Sequence, residues 1–198
     1  MESLNSLPIK DIIQKFENYQ QSNLITEIAL KSNSSIVEEY VSLTDRKSLS
    51  AALSHIKNNH ENNPLNHAVY QKLKMSEIPE ISIEQANEIK EITRAFIKSL
   101  NSGEIAKVTY MNESGRVSSG YVDFTTNENF KISMNEFLSK NNLVQENVIA
   151  IKRKDPNYNI EKKVSLQSLP SKETILENIR NKFANPSDTI KSTQNMKM

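Results

Sequence analysis

The sequence predicts an α+β protein, in which an N-terminal helical bundle precedes a small antiparallel β module and a closing C-terminal helix. Apolar residues recur at helical spacing as far as Leu100, alternate at period two after Gly103, and return to helical spacing after Ser171. These changes of period predict three regions: 1–104 as the helical region, 105–184 as the β-rich module with its closing helix, and 185–198 as a flexible tail.

Most of the first region carries amphipathic patterns that predict helices. We expect helices over 8–21, over about 45–57, from Pro64, and from Ser82 to Asn101. Ser82 and Gln85 form a capping box, and Gly103 is placed to end the last helix in the left-handed conformation.

The stretch from Leu24 to Leu43 is also predicted to be helical. Ile25 and Ile28 continue the helical spacing, and Ser35 with Glu38 resembles a second capping box. We therefore expect two short helices here.

Strands are expected from Ile105 to Met111, from Val117 to Phe124, over 129–134 and over 148–153. Gly115 is predicted to lie in the turn between the first two, and Gly120 to mark a bulge or a close approach. A short meander of this kind needs closure or a covering helix. By strand order and length alone, an SH3-like or Sm-like barrel is one way to close it.

The closing helix is predicted to begin at Ser171. Its apolar side consists of Ile175, Leu176, Ile179 and Phe183. We expect this helix to dock on the rest of the protein.

Composition excludes several chemistries. The chain has 198 residues, a net charge of +1 and no cysteine, so it has no disulfide, no thiolate zinc site and no thiol nucleophile. The longest aliphatic run, from Val148 to Ile151, is far too short to span a bilayer, and no apolar signal core follows Met1. We expect a cytoplasmic protein without membrane insertion, and delivery by a specialised secretion system stays open.

No motif for a cofactor or a catalytic group stands out. His55, His60 and His67 are close in sequence, but their spacing does not place two imidazoles on one helix face. The three glycines form no phosphate-binding loop, and no nucleophile elbow is present. We expect no cofactor and no bound metal, and the histidines are interpreted as surface or loop residues.

Charge divides the chain unevenly. Residues 1–104 hold 14 acidic and 11 basic residues, whereas residues 105–198 hold 10 acidic and 14 basic ones. A basic segment around one aromatic residue is the main candidate contact surface, and its members are Lys152, Arg153, Lys154, Tyr158, Lys162 and Lys163. Such a segment can contact phosphates and stack a base, or it can protect a strand edge, and we favour edge protection. We expect its lysines and Arg153 to be solvent-exposed. At period two, Ile149, Ile151 and Arg153 should share one face of the strand, and Lys152 and Lys154 the other.

Three function classes remain. The leading hypothesis is a non-enzymatic protein-interaction protein, such as an adaptor, a regulator or a pathogen effector, which binds a protein partner. Nucleic-acid binding through residues 152–163 is the alternative, and an enzyme of an unrecognised family is the third.

Overall fold

The computed structural model describes residues 7–32, 35–60, 64–78, 80–155 and 160–163. Within these residues, five helices and two small antiparallel sheets are interleaved along the chain. The helices are α1 (Ile9–Gln21), α2 (Arg46–His60), α3 (Pro64–Lys74), α4 (Ile83–Asn101) and α5 (Asn127–Lys140). The strands are β1 (Ile25–Ser32), β2 (Ser35–Ser42), β3 (Ile105–Met111), β4 (Val117–Asp123), β5 (Val148–Asp155) and β6 (Ile160–Lys163). None of the described helices is long and apolar enough to cross a membrane.

The α+β class is confirmed, together with α1, α2, α3 and α4. Ser82 caps α4 by accepting a hydrogen bond from the Gln85 backbone N–H at 3.1 Å. Gly103 follows the helix with φ of 76°, the left-handed value that its position predicts. The buried face of α4 contains the expected Ile89, Ile92 and Phe96.

The helices expected between Leu24 and Leu43 were wrong, because β1 and β2 form an antiparallel hairpin there. Asn23 has φ of 57°, and the Leu24 N–H bonds the Tyr19 carbonyl at 2.9 Å, so α1 ends and the chain turns away. The β-branched residues Ile25 and Thr26 suit the extended strand that follows. The first region is thus not purely helical.

The strand expected over 129–134 was also wrong, because these residues lie in α5. Thr126 caps this helix by accepting from the Asn129 N–H at 3.0 Å. Phe130, Met134 and Phe137 lie four and three residues apart and form its buried side. Both the helical spacing and the cap are features of the sequence.

The larger sheet contains four strands in the order β4-β3-β5-β6, all antiparallel to their neighbours. No barrel closes among the described strands, so the barrel prediction is not supported. β4 and β6 are its two edges. At the β4 edge, the Tyr121 backbone N–H donates to Glu17 of α1 at 3.4 Å, so α1 protects that edge.

Each face of this sheet packs against different elements. On one face, Ala106, Val108 and Val122 pack against the buried side of α5. Gly120 allows this contact, because a Cβ built there would lie 2.5 Å from Phe137 Cε2. On the other face, Ile105 and Tyr121 join a core formed with α1, β1, β2 and α4. A third core joins the hairpin to α2 and α3.

Four aromatic rings form the centre of the second core. Phe16 and Phe96 stack with centroids 3.5 Å apart and an interplanar angle of 5°. Tyr40 and Tyr121 meet both of these rings edge to face. The core therefore includes side chains from both sides of residue 104, and the division into separate regions there remains a prediction.

The predicted closing helix from Ser171 and the predicted tail over 185–198 lie outside the described residues.

Candidate functional site

The basic segment belongs to β5 and β6, where its described cations make contacts within the chain. Lys152 is exposed, as expected, but Arg153 and Lys154 are only partly exposed. The Arg153 guanidinium lies 4.4 Å from the Phe124 ring centroid, and Lys154 Nζ donates to Asn101 Oδ1 at 2.6 Å. The expectation of full exposure was therefore wrong for Arg153 and Lys154, since each packs on a neighbouring element.

Successive cations of β5 lie on opposite faces of the sheet, as their alternation predicts. Lys152 stands opposite Lys107 of β3, whereas Arg153 reaches Phe124 on the α5 side. Because the three cations do not share a face, they do not form one continuous track for phosphates.

For the two lysines of the segment that lie in β6, the structure gives only their strand partners. Lys163 pairs with Lys152, and Lys162 pairs with Arg153. Tyr158, the candidate residue for stacking on a base, lies outside the described residues.

A partly buried ion cluster joins the hairpin to the larger sheet. Lys107 Nζ lies 2.7 Å from Glu27 Oε1 and 2.9 Å from Glu38 Oε2, and its side chain is only 14% exposed. The Tyr121 hydroxyl donates to Glu27 Oε2 at 3.4 Å and lies 2.8 Å from the Tyr40 hydroxyl. Opposite charges meet within hydrogen-bonding distance here, so the cluster stabilises the contact between β1, β2 and β3.

The surroundings of this cluster shift two pKa values upward. Burial opposes the charge on Lys107, but hydrogen bonds to Glu27 and Glu38 outweigh it and raise the pKa of the ammonium. Burial, reinforced by Tyr40 and Glu27, raises the pKa of the Tyr121 phenol far above its usual range. Both groups therefore keep their protons at neutral pH.

The open end of the larger sheet presents three exposed apolar side chains, which we call the sheet-end patch. They are Met111, Val117 and Ile149, exposed by 42%, 55% and 46%. Met111 and Val117 are direct cross-strand partners at the ends of β3 and β4. Ile149 is on β5, the other neighbour of β3, where the register with β3 skips one residue between Tyr110 and Thr109.

The irregularity at Ile149 corrects another expectation. A regular strand would place Ile149 on the same face as Ile151. Val148 instead faces Tyr110 in the core, Ile151 is also buried, and Ile149 is the extra, exposed residue between them. A bulge of this kind redirects a side chain without ending the strand.

Sequence reasoning missed the sheet-end patch. The alternation of β3 and β4 indicates which residues share a face, but not which part of that face another element covers. The available signal was an apolar residue on each side of the Asn112–Gly115 turn, namely Met111 and Val117.

His55 and His67 contact different neighbours. His55 Nε2 lies 3.4 Å from Glu39 Oε2, and His67 Nε2 lies 3.4 Å from Gln71 Nε2. In the part of the chain that the structure describes, no three His, Asp or Glu residues are grouped so that they could hold a metal ion.

Comparison of this chain with protein-family models, with curated proteins and with solved structures gives no match.

Proposed function

We propose that this chain is a protein-interaction protein that binds an amphipathic helix of a partner on the sheet-end patch. The observation that carries the proposal is the grouping of Met111, Val117 and Ile149 on three adjacent strands, all substantially exposed. Large apolar side chains that are grouped on a surface are typical of binding sites, whereas scattered ones need no explanation.

The dimensions of the patch favour a helix as the bound element. Three adjacent strands span about 10 Å from first to last, which is close to the width of an α-helix with its side chains. Helices commonly cover the apolar faces of sheets, and α5 covers the opposite face of this sheet in that way. An adaptor, a regulator or an effector could each use such a surface.

Nucleic-acid binding ranks second, because several of the described cations already make contacts within the chain. Arg153 and Lys154 already contact Phe124 and Asn101, and Lys107 is paired with two carboxylates. Salt-dependent retention on a nucleic-acid column, with a steep slope, would reverse this order.

The test is quantitative capture of partner proteins by the full chain, with nuclease treatment and mass spectrometry. Met111→Lys with Val117→Lys should lower the yield of a specific protein by about tenfold or more, because a lysine ammonium at the interface costs roughly 1.4 kcal/mol or more of binding. Ile132→Lys is the matched control, since Ile132 is 51% exposed on α5. Equal losses in both variants, or none in either, would overturn the proposal.

A further inference from the structure

We infer that this chain forms a reversible twofold dimer, in which residues 117–119 of β4 pair antiparallel with the same residues of a second copy. We call residues 117–119 the open edge. The pairing uses the rim of the larger sheet and does not require helix binding at the sheet-end patch.

Odd-numbered residues of β4 direct their backbone groups away from β3. The Tyr121 N–H donates to Glu17 Oε1 of α1 at 3.4 Å, and the Asp123 N–H donates to Ser133 Oγ of α5 at 3.0 Å. Two helices therefore supply acceptors for the outward N–H groups at the end of the strand.

The outward groups at the start of the strand differ. Because the direction alternates along a strand, Val117 and Ser119 also point away from β3. Each carries one N–H donor and one C=O acceptor, and on that side none of these groups has a hydrogen-bond partner among the described residues. Both residues are exposed. An edge with unpaired backbone groups is a template for pairing with another chain.

The composition of the open edge favours pairing. Natural sheets protect their exposed edges with charged side chains, proline or bulges. β6, the opposite edge of the sheet, contains Glu161, Lys162 and Lys163. Residues 117–119 are instead one valine and two serines, and their register with β3 is regular.

A second copy satisfies all of the outward groups at once. With Ser118 on the twofold axis, Val117 of each copy lies opposite Ser119 of the other, and such opposite residues exchange both of their hydrogen bonds. Centring the pair on Ser119 would instead require the Tyr121 N–H, which already binds Glu17. The contacts of α1 thus select the register centred on Ser118.

The charges around the open edge are complementary between two copies. In this register, the exposed Arg116 of one copy lies opposite Gly120 of the other. Glu17 Oε1 is 3.4 Å from the position of a Cβ on Gly120, and its other oxygen lies 3.4 Å from Lys140 Nζ. An arginine can bind such a carboxylate, and the twofold axis repeats the contact.

The contact is short, so the dimer is reversible. Helix α1 limits the pairing to the open edge, and small interfaces are typical of transient complexes. The two four-stranded sheets become one continuous sheet, in which Val117 of one copy lies diagonally across from Val117 of the other. The two sheet-end patches then adjoin on the same face.

The absence of natural cysteine allows a direct test of this register. Ser118 of the two copies would face each other as a non-hydrogen-bonded pair, with Cα atoms about 4.5 Å apart, which a disulfide can span. The full chain carrying Ser118→Cys is incubated with oxidised glutathione, and the covalent dimer is measured by non-reducing electrophoresis. We expect a yield about tenfold above that of Ser114→Cys, because pairing raises the effective concentration of the Ser118→Cys thiols only. Ser114 is the matched control, since it is exposed in the same hairpin but lies far from its counterpart in this register.

A second substitution tests whether the backbone groups of the edge make the dimer. Ser119→Pro removes an outward N–H donor and is compatible with an edge strand. Added to Ser118→Cys, it should lower the disulfide yield to that of the control. In the natural chain, analytical ultracentrifugation should show a dimer that increases with concentration, and Ser119→Pro should abolish it. The urea midpoint checks that the variant folds, and Ser119→Lys replaces it if it does not.

Equal yields from Ser118→Cys and Ser114→Cys would overturn the inference, as would a yield that Ser119→Pro leaves unchanged. A natural chain that stays monomeric at every concentration would also overturn it, and would leave the edge to a strand of another protein or of this chain. No partner protein is present in these measurements. Their failure therefore leaves the proposed function standing, and failure of the capture experiment leaves the dimer standing.

Discussion

At one end of β3 and β4, Lys107 and Tyr121 lie beneath the hairpin and α4, whereas at the other end Met111 and Val117 remain exposed. Both ends belong to the same sheet face, because these residues alternate with Ala106, Val108 and Val122 of the opposite face. The alternation is the same along the whole strands. What differs is the element packed on top.

The covered end combines an aromatic core with an ion cluster, and each depends on side chains distant in sequence. Tyr121 is within 2.8 Å of Tyr40, and Lys107 binds Glu27 and Glu38. At the open end, no comparable aromatic core or ion cluster lies among the described residues. The first part of the chain therefore packs on one half of the sheet and leaves Met111 and Val117 at the other half exposed.

Removing the part of the chain that packs on the covered end should have the largest effect on stability. A fragment of residues 104–184 would expose Ile105 and Tyr121, which are buried against α1 and α4. We expect this fragment to lack the cooperative urea unfolding of the full chain, as followed by circular dichroism. Cooperative unfolding of the fragment would instead make residue 104 a boundary between independent domains.

Truncation of the aromatic core should come next. Phe96 is fully buried and stacks on Phe16, so Phe96→Ala should lower the free energy of unfolding by about 3–5 kcal/mol. Val117→Ala, at the open end, should cost under about 1 kcal/mol. Urea denaturation of both variants measures the difference, and equal costs would contradict the contrast between the two ends.

Substitutions at Gly120 and Gly115 test the contrast between packed and open positions within the hairpin of β3 and β4. Gly120→Ala should cost about 1–3 kcal/mol, because the new methyl group meets the Phe137 ring. Gly115 has φ of 75° and open space around its Cα, so Gly115→Asn should be tolerated, since asparagine adopts this conformation more readily than other residues. Thermal unfolding compares the two; a neutral Gly120→Ala would mean that Phe137 moves aside freely.

The raised pKa of Tyr121 predicts stability that is lost in alkali. Below about pH 10, its value in the unfolded chain, the phenol is protonated in both states. Above it, the unfolded chain releases a proton that the folded chain retains, so the free energy of unfolding falls by up to about 1.4 kcal/mol per pH unit from this group. The raised pKa of Lys107 acts in the same direction above about pH 10.5.

Tyr121→Phe removes the tyrosine contribution and leaves that of Lys107. Urea midpoints between pH 9 and pH 11.5 should therefore fall less steeply in the variant than in the natural chain. An identical slope in the two proteins would mean that the Tyr121 hydroxyl reaches solvent in the folded state.

The smallest effect is expected at the basic segment. Reversing the charges of Lys152 and Lys154 together, to glutamate, should change stability by about 0.5 kcal/mol or less, because Lys152 is exposed and Lys154 makes one exposed contact. Binding to RNA or DNA is measured on the same variant by titration at fixed salt. A loss of about tenfold in affinity with stability unchanged would make nucleic-acid binding the leading function.

The sequence by itself determined the features that a few neighbouring residues define. These include α1, α4, the turn at Gly115 and the alternation that separates Lys152 from Arg153. Such features are local, because a helix stripe, a cap or a strand alternation is defined by residues only a few positions apart.

Only the tertiary structure decided the hairpin of β1 and β2, the coverage of one half of the sheet and the exposure of Ile149. The spacing of Ile25 and Ile28 fits a helical stripe as well as it fits a strand. The hairpin is the conformation that buries Ile25 in the second core and Ile28 in the third. Glu27 and Glu38 meet Lys107 across about 70 to 80 residues of chain, a contact that no local pattern records. The sheet-end patch follows from the same fact, since a strand's own sequence does not specify which element packs over it.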